Sequence, residues 1–375
     1  MSYFIGVMSG TSLDGIDVAL VDFNLQNQLR LVDAQTVPFD ASLKEGLKQL
    51  ITTHECHLQT LGELDVALGR AIALIINKLL VKHDLNGDEI VAIGSHGQTL
   101  FHHPEGPFPF SLQIGNGNVI AELTGITTIT DFRQRDMVAG GQGAPLVPAF
   151  HKALFHSTSQ NRVIVNIGGL SNITVIPADS QSNIIGFDTG PGNTLLDGWI
   201  QQHRLKSYDE SGQWARIGVV NGKLLTLLLS DPYFNQSIPK STGREYFNLN
   251  WLTTKLKALT EDIVPQDVQA TLSALTATTI AKDIQHYAED TDAIYVCGGG
   301  AHNHYLIKQL RLQLPNRLVA TTEQIGLQPD WVEACAFAWL ARQTFTNKTS
   351  NLPEITGANH PAILGAIYPS LPENI

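Results

Sequence analysis

The first residues of the chain alternate between apolar runs and a polar turn. Apolar runs at residues 3–8 and 16–22 enclose the segment Ser9–Gly15, which has the sequence SGTSLDG. Short apolar runs bounded by glycine and hydroxyl residues are typical of strands joined by a turn. The pattern therefore predicts an antiparallel pair of strands at the N-terminus with a glycine-containing turn between them.

The same pattern returns about 160 residues later. An apolar run at residues 162–167 is followed by the turn GGLSN at 168–172 and by a second apolar run at 173–176. Repetition of one supersecondary unit indicates two lobes of similar design.

The predicted boundary between the lobes is the glycine-rich run at residues 139–145. It separates an N-terminal lobe at 1–138, rejoined by residues 355–375, from a C-terminal lobe at 139–354.

Helical and strand patterns alternate along the rest of the chain. Apolar residues at helical spacing predict long helices at 58–83 and 266–287. Further short strands are predicted at 90–94, 126–130, 184–187 and 293–297, and further helices at 147–155, from 194, from about 303 and at 329–345. Hairpins mixed with strand–helix units predict an α/β protein with two lobes.

Composition narrows the classes of function. The 375 residues carry a net charge of −11 without a dense Lys/Arg cluster, so neither nucleic acid nor an anionic membrane is an expected partner. Three cysteines without CxxC spacing fit reduced thiols, and the N-terminus lacks a signal-peptide pattern. The expected location is cytoplasmic.

Three glycine turns are candidates for binding a nucleotide phosphate. They lie at Ser9–Gly15, at 166–172 and at 298–300, each directly after a predicted strand. Glycine lets the backbone approach a phosphate, whose oxygens accept from N–H groups. Any one of them could be an ordinary turn, but three together favour a nucleotide site. The chain lacks GxxxxGK[ST], which argues against a P-loop. Asp14 is the candidate Mg²⁺ ligand, directly or through water.

Asp188 is the candidate catalytic acid or base. It follows an apolar strand and precedes a Gly-Pro-Gly turn, so its carboxylate is expected at a sheet edge. There it could take a proton from a nucleophile during phosphoryl transfer; the alternative is a helix N-cap. His96, at the end of another predicted strand, is expected to contact a ligand. The thirteen histidines show no zinc-site spacing.

Six sequence blocks resemble the anhydro-N-acetylmuramic acid kinase family. They are GVMSGTSLDGID from Gly6, SHGQTLFHHP from Ser95, GGQGAPLVPAFH from Gly140, NIGGLSNIT from Asn166, GFDTGPGN from Gly186 and VCGGGAHN from Val296. The resemblance implies an actin-like, ribonuclease H-like fold in which each lobe is a mixed five-stranded sheet flanked by helices. ATP and a sugar would occupy the cleft between the lobes. Many members of the larger superfamily have an aspartate where this chain has Gly6-Val7-Met8.

The resemblance also implies the reaction. Such a kinase opens the 1,6-anhydro ring of anhydro-N-acetylmuramic acid with water and phosphorylates O6. The products are N-acetylmuramic acid 6-phosphate and ADP, and the reaction belongs to peptidoglycan recycling. Asp188 would activate the water, Glu333 would bind the sugar, and Arg133 or Arg135 would hold its lactyl carboxylate. The alternative for either arginine is an ion pair with Asp131 or Asp136.

Together these arguments assign two sets of residues, with ATP and Mg²⁺ as the expected cofactors. ATP binding is assigned to Gly10, Thr11, Ser12, Leu13, Asp14, Gly15, Ile16, Asp17, Asn166, Gly168, Gly169, Gly298, Gly299 and Gly300. Substrate binding is assigned to Ser9, His96, Arg133, Arg135 and Glu333. The alternatives are a conventional sugar kinase acting on a free hydroxyl and an actin- or Hsp70-like ATP switch. A homodimer through Trp331, Phe337 and Trp339 is also open, although aromatic residues on an apolar helix are more often core.

Overall fold

The computed structural model describes residues 2–10, 13–23 and 29–370. The strands are β1 Tyr3–Ser9, β2 Ile16–Phe23, β3 Leu29–Val37, β4 Ile90–His103, β5 Phe110–Ile114, β6 Thr128–Thr130, β7 Arg162–Ile167, β8 Leu170–Ile176, β9 Ile185–Pro191, β10 Ala293–Cys297, β11 Leu318–Thr321 and β12 Ala366–Tyr368. The helices are α1 Ala41–Thr53, α2 Leu58–Lys82, α3 Gly117–Thr124, α4 Gln134–Val138, α5 Val147–Phe155, α6 Thr194–Arg204, α7 Gln213–Ile217, α8 Gly222–Leu229, α9 Leu249–Lys257, α10 Pro265–Tyr287, α11 His304–Gln313, α12 Val332–Phe345 and α13 Pro353–Thr356.

The chain forms two compact units. Unit 1 comprises Met1–Leu154 and Trp331–Ile375, and unit 2 comprises Phe155–Asp330. These bounds differ from the sequence-based division at residues 139 and 355. The glycine-rich run at 139–145 belongs to unit 1 because the buried carboxylate of Asp136 accepts from the Gly143 N–H and from the Asn351 side chain.

Both units are built on the same five-strand order. In unit 1 the order is β3-β2-β1-β4-β6, and in unit 2 it is β9-β8-β7-β10-β11. In each, the first three strands in sequence pair antiparallel, the fourth pairs parallel with the first, and the fifth pairs parallel with the fourth. This duplicated order is the one that a ribonuclease H-like, actin-type fold requires. The predicted α/β fold class is confirmed.

The sheet of unit 1 is larger than the predicted five strands. Strand β5 pairs with the second half of β4, and β12 pairs antiparallel with β6, which gives seven strands. The additions come from a hairpin and from the returning C-terminal segment. The sheet of unit 2 has the predicted five strands.

Helix α12 lies unusually close to the sheet of unit 1. A β-carbon placed on Gly6 in β1 would collide with the carbonyl oxygen of Ala334, and one on Gly94 in β4 would collide with that of Phe337. Glycine at both positions therefore allows the helix backbone to rest directly on the strands. This contact fixes the height of α12 above the sheet, and with it the position of Glu333 in its first turn.

Two predicted strands continue further than expected. Strand β4 does not end at Gly94 but extends through His96 to His103, and β9 extends through Asp188 to Pro191. The predicted strands end before these polar segments because sequence polarity suggests exposure. They remain in the sheets because their polar side chains are buried or hydrogen-bonded there, as Gln98 is.

Two aromatic residues of α12 that were candidates for a dimer surface pack inside unit 1. Phe337 is buried and packs against the rings of His96 and Phe132. Trp339 packs against Phe150. Phe337 is therefore core rather than dimer surface.

Over residues 2–10, 13–23 and 29–370, no helix is long and apolar enough to cross a membrane.

Candidate active site

A buried polar group lies where β1 ends beside β4. The hydroxyl of Ser9 donates to Oε1 of Gln98, its partner in the parallel register between the strands, and both residues are buried. His96 lies two residues earlier on β4 and is also buried. A buried polar group of this kind at a sheet edge is a candidate ligand-binding surface.

Arg133 joins this group from the turn after β6. Its Nε and Nη2 lie 3.2 Å and 2.9 Å from Nε2 of His96, and its Nη1 donates to the carbonyl oxygen of Gly143 at 2.9 Å. Nδ1 of His96 lies 3.0 Å from the Gly97 carbonyl oxygen. The proton of a neutral His96 is therefore on Nδ1, and Nε2 accepts from the guanidinium. His96 thus orients Arg133.

Burial and neighbouring charge set the protonation of these groups. Burial lowers the pKa of His96 to about 3, and the Arg133 guanidinium contributes, so the ring is neutral at physiological pH. Burial lowers the pKa of Arg133 to about 10, a shift that Glu333 opposes, so the guanidinium keeps its charge. Burial and then Asp17 raise the pKa of Glu333, while Arg133 opposes the rise. Unit 1 thus presents a fixed cation near the Glu333 carboxylate, whose other charged neighbour is Asp17.

The other predicted arginine lies elsewhere. Arg135 is exposed on α4. The ion-pair alternative is wrong, because among the described residues neither arginine forms an ion pair with Asp131 or Asp136. The Asp136 carboxylate accepts instead from the side chains of Asn351 and Thr356 and from the Gly143 N–H. Of the two arginines, Arg133 alone joins the buried group containing Ser9, Gln98 and His96.

The first glycine turn is described only in part. Thr11 and Ser12 lie outside the described residues. Leu13, with φ 54°, donates its N–H to the Gly10 carbonyl oxygen at 3.2 Å. The other residues assigned here are exposed Asp14, buried Gly15 and Ile16, and Asp17, whose carboxylate accepts from Thr36 Oγ1 at 2.6 Å.

The second glycine turn, in unit 2, is held against the start of α6. The carbonyl oxygen of Gly168 accepts from the Asn193 N–H at 2.8 Å, and that of Gly169 accepts from the N–H groups of Gly192 and Thr194 at 3.0 Å and 2.9 Å. A β-carbon on Gly192 would collide with the Gly168 oxygen. The turn therefore has one fixed position beside the helix.

The third glycine turn meets the second. A β-carbon on Gly298, where φ is 75°, would collide with the side-chain oxygen of Asn166, and one on Gly300 would collide with Ile167. Gly299 has open space on that side, with Nδ2 of Asn193 3.9 Å away as its nearest neighbour. The two turns and the start of α6 therefore lie against one another and present glycine backbone, which is suited to a phosphate or a ribose.

Asp188 lies in β9 and is surrounded by groups that control its charge. Its Oδ2 accepts from the Thr242 N–H at 3.0 Å, and its backbone oxygen accepts from the Tyr233 hydroxyl at 2.7 Å. Burial raises the pKa of Asp188 to about 6, the Thr242 N–H and Lys240 oppose the rise, and Glu245 adds to it. The N-cap alternative is wrong, because the residue capping α6 is Asn193. A buried carboxylate with this pKa is suited to act as a general base near neutral pH.

A segment outside the predicted site residues supports Asp188. Lys240 is buried and forms an ion pair with Asp283, with Nζ 3.1 Å from Oδ2. The same ammonium lies 5.3 Å and 5.4 Å from the ring centroids of Phe187 and Tyr233. The available signal was the run PKSTGRE after Ile238, which places two cations, two hydroxyls and a glycine within seven residues.

The described residues do not form a metal centre of their own. No group of three or more His, Cys, Asp or Glu side chains there could hold a metal ion. Mg²⁺ in kinases binds largely through nucleotide phosphates and water with one or two carboxylates. Asp14, exposed on the first turn, fits such a role.

Comparison with known proteins gives a consistent result. The sequence model of the family described as anhydro-N-acetylmuramic acid kinase matches residues 2–370. The chain is 51% identical over 365 residues to the anhydro-N-acetylmuramic acid kinase of Coxiella burnetii (strain RSA 493 / Nine Mile phase I), covering 97% of both chains. It is 50% identical over 368 residues to that of Pasteurella multocida (strain Pm70), covering 98% of this chain and 97% of the relative. A solved structure, the activator of 2-hydroxyisocaproyl-CoA dehydratase from Clostridium difficile with bound ADPNP, is 11% identical with a TM-score of 0.48, covering 92% and 96% of the two chains.

Proposed function

The chain belongs to the anhydro-N-acetylmuramic acid kinase family, and we propose that it couples hydrolysis of the 1,6-anhydro bridge of its sugar to phosphorylation of O6. The observation that carries the catalytic assignment is the buried carboxylate of Asp188, held by the Thr242 N–H with a pKa of about 6. The donor is ATP, and the products are N-acetylmuramic acid 6-phosphate and ADP. A cytoplasmic role in cell-wall recycling completes the proposal.

The reaction needs one base and one phosphoryl acceptor. A 1,6-anhydro sugar has no free 6-hydroxyl, so direct attack of O6 on ATP is not available at the start. Asp188 takes a proton from water, the oxygen of that water attacks C1, and the C1–O6 bond breaks. O6 then attacks the γ-phosphorus as the bond to the ADP oxygen breaks. Water adds across the bridge, and one phosphoryl group moves to O6.

The residues of unit 1 are assigned to the sugar. Arg133 is the ligand of the lactyl carboxylate, because its guanidinium is fixed by Nε2 of His96 and the Gly143 oxygen and is desolvated. Ser9 and His96 line the same buried group. Glu333, whose pKa is raised by burial and by Asp17, is assigned to a sugar hydroxyl or amide.

ATP is assigned to the three glycine turns, with the residues of the first turn from Gly10 to Asp17 included. Mg²⁺, when bound with the nucleotide, neutralises phosphate charge, and Asp14 would hold it directly or through water. The turns themselves supply backbone N–H groups. Gly298 and Gly300 let the third turn pack directly against Asn166 and Ile167 of the second.

The isotope course of the reaction tests the proposal against a conventional sugar kinase. Turnover in ¹⁸O-water is expected to place one ¹⁸O atom on C1 of the product and none in the bridging O6–P position, because water attacks C1 while O6 comes from the bridge. Mass spectrometry of the product before anomeric exchange, with fragment analysis, locates the label. Phosphorylated product that retains the anhydro bridge, or that carries no label at C1, contradicts bridge hydrolysis.

The activity is expected to depend on pH through Asp188. Its carboxylate must be ionised to take a proton, so kcat/KM for the sugar should rise about tenfold per pH unit below pH 6 and level off above it. Since Glu245 raises this pKa, Glu245→Gln should move the rising limb to lower pH. The measurement is the pH profile of kcat/KM at fixed ionic strength.

The matched control is Glu289→Gln, a second exposed glutamate of unit 2. Its rising limb should coincide with that of the unmodified protein. A limb that stays in place for Glu245→Gln, or that shifts equally in both variants, shows that the titrating group is not Asp188.

A further inference from the structure

An arginine outside the assigned ATP residues faces the second glycine turn. A β-carbon placed on Gly169 would lie 2.7 Å from Nη2 and 3.0 Å from Nε of Arg244, and 2.8 Å from Oγ1 of Thr194. Two guanidinium nitrogens and one hydroxyl therefore converge on the space that the missing side chain leaves. Glycine at position 169 therefore lets the guanidinium and the hydroxyl lie directly against the turn.

The donors that converge there are not used by the protein itself. Oγ1 of Thr194 is buried and has no hydrogen-bond partner among the described residues. The Arg244 guanidinium forms no ion pair with a carboxylate in that same part of the chain. A buried hydroxyl without a partner costs free energy unless a ligand completes it.

The backbone around Arg244 is ordered by contacts that do not involve its side chain. Nδ2 of Asn248 donates to the carbonyl oxygens of Arg244 and Glu245 at 3.2 Å and 2.8 Å, and Phe247 is buried. Two residues before Arg244, the Thr242 N–H donates to the Asp188 carboxylate. One short segment therefore presents a donor to the catalytic carboxylate and a cation to the glycine turn.

We propose that Arg244, with the hydroxyl of Thr194, binds the terminal phosphoryl group of the nucleoside triphosphate above the Gly168–Gly169 turn. A guanidinium matches the oxygens of a phosphoryl group with paired N–H donors, and its charge offsets the charge that the group carries. This inference rests on the proposed kinase function and adds a residue to it. The segment that binds Asp188 through the Thr242 N–H would then also bind the phosphate donor through Arg244.

Direct nucleotide binding without sugar tests the assignment. Calorimetry with AMP-PNP, ADP and adenosine is compared for the unmodified protein, Arg244→Ala and Arg244→Lys. Arg244→Ala should weaken AMP-PNP binding about tenfold or more and adenosine binding less than about twofold, since hydrogen bonds to charged groups are the ones lost. Arg244→Lys should fall between, because it keeps the charge and loses the planar fork.

Two further variants keep the test sharp. Thr194→Val preserves the shape and removes the hydroxyl, and should weaken AMP-PNP more than ADP. Arg216→Ala removes another exposed arginine of unit 2 and should leave all three affinities unchanged. Both variants are checked for an unchanged melting temperature.

Three results would overturn the inference: less than about a twofold change in AMP-PNP affinity for Arg244→Ala, equal weakening of adenosine, or an effect confined to KM for the sugar. The last result would place the guanidinium on the sugar carboxylate instead. Failure of the proposed function is seen separately, in the ¹⁸O label pattern of the unmodified protein.

Discussion

Replacing Asp188 with asparagine is expected to lower kcat for anhydro-N-acetylmuramic acid by about 10²–10⁴-fold, the range that a positioned general base contributes. Asparagine keeps an oxygen that can accept from the Thr242 N–H, which the present carboxylate does at 3.0 Å. It cannot take a proton from water. The geometry of β9 should therefore survive while the base is lost, and steady-state kinetics with coupled ADP detection measures the loss.

ATP binding provides the internal control for this variant. Affinity for AMP-PNP should stay within about twofold of the unmodified protein, because Asp188 is assigned to the water and not to the nucleotide. The matched control is Asp262→Asn, an exposed aspartate of the same unit, which should retain full turnover. Full kinase activity in Asp188→Asn would remove this residue from the catalytic role.

Replacing Arg133 with alanine is expected to raise KM for the sugar by about 30-fold or more, with a smaller change in KM for ATP. The expected size follows from the cost of removing one partner of a desolvated, hydrogen-bonded charge pair, about 2–5 kcal/mol. The guanidinium is hydrogen-bonded to His96 and Gly143, and its positive charge lowers the pKa of Glu333 against the effect of burial. The loss should therefore appear in sugar binding first.

Arg135→Ala is the matched control, since this arginine is two residues away and exposed. Its KM for the sugar should match that of the unmodified protein. A second substrate separates charge from shape: the analogue without the lactyl carboxylate should be bound equally by Arg133→Ala and the unmodified protein. If Arg135→Ala carries the larger effect, or neither variant changes KM for the sugar, the carboxylate is held by another residue.

The periodic parts of the fold were predictable from the sequence, and the buried polar parts were not. Helices α2 and α10 were predicted within one residue at each end, because long apolar stripes at helical spacing have few alternatives. The predicted strand ends at Gly94 because Ser95–Gln98 is polar, although β4 continues to His103. Polar residues are expected to be exposed to solvent, whereas Gln98 is buried and accepts a hydrogen bond from the Ser9 hydroxyl on the neighbouring strand. Such pairing depends on a register between distant strands that a single sequence does not reveal.

The candidate site shows the same division. Local sequence patterns predict the glycine turns and Asp188. They do not predict Thr242, Lys240 and Arg244, which lie more than fifty residues after Asp188. The folded chain brings these residues close to Asp188 or to the second glycine turn. Arg133 and Arg135 likewise could not be told apart from the sequence, because basic residues two positions apart differ mainly in the direction their side chains take.

The seating of α12 on β1 and β4 has a consequence for how the protein can fold during synthesis. At Gly6 and Gly94 no side chain separates those strands from the helix, so the sheet reaches its native packing only once Val332–Phe345 is present. Those residues leave the ribosome about 240 residues after β4 begins, and domains tend to fold as units in the order of synthesis. Unit 2, uninterrupted in sequence, is therefore the first part of the nascent chain that can reach its native structure. Until α12 is synthesised, one apolar face of the N-terminal sheet stays uncovered, and chaperones should bind to that face.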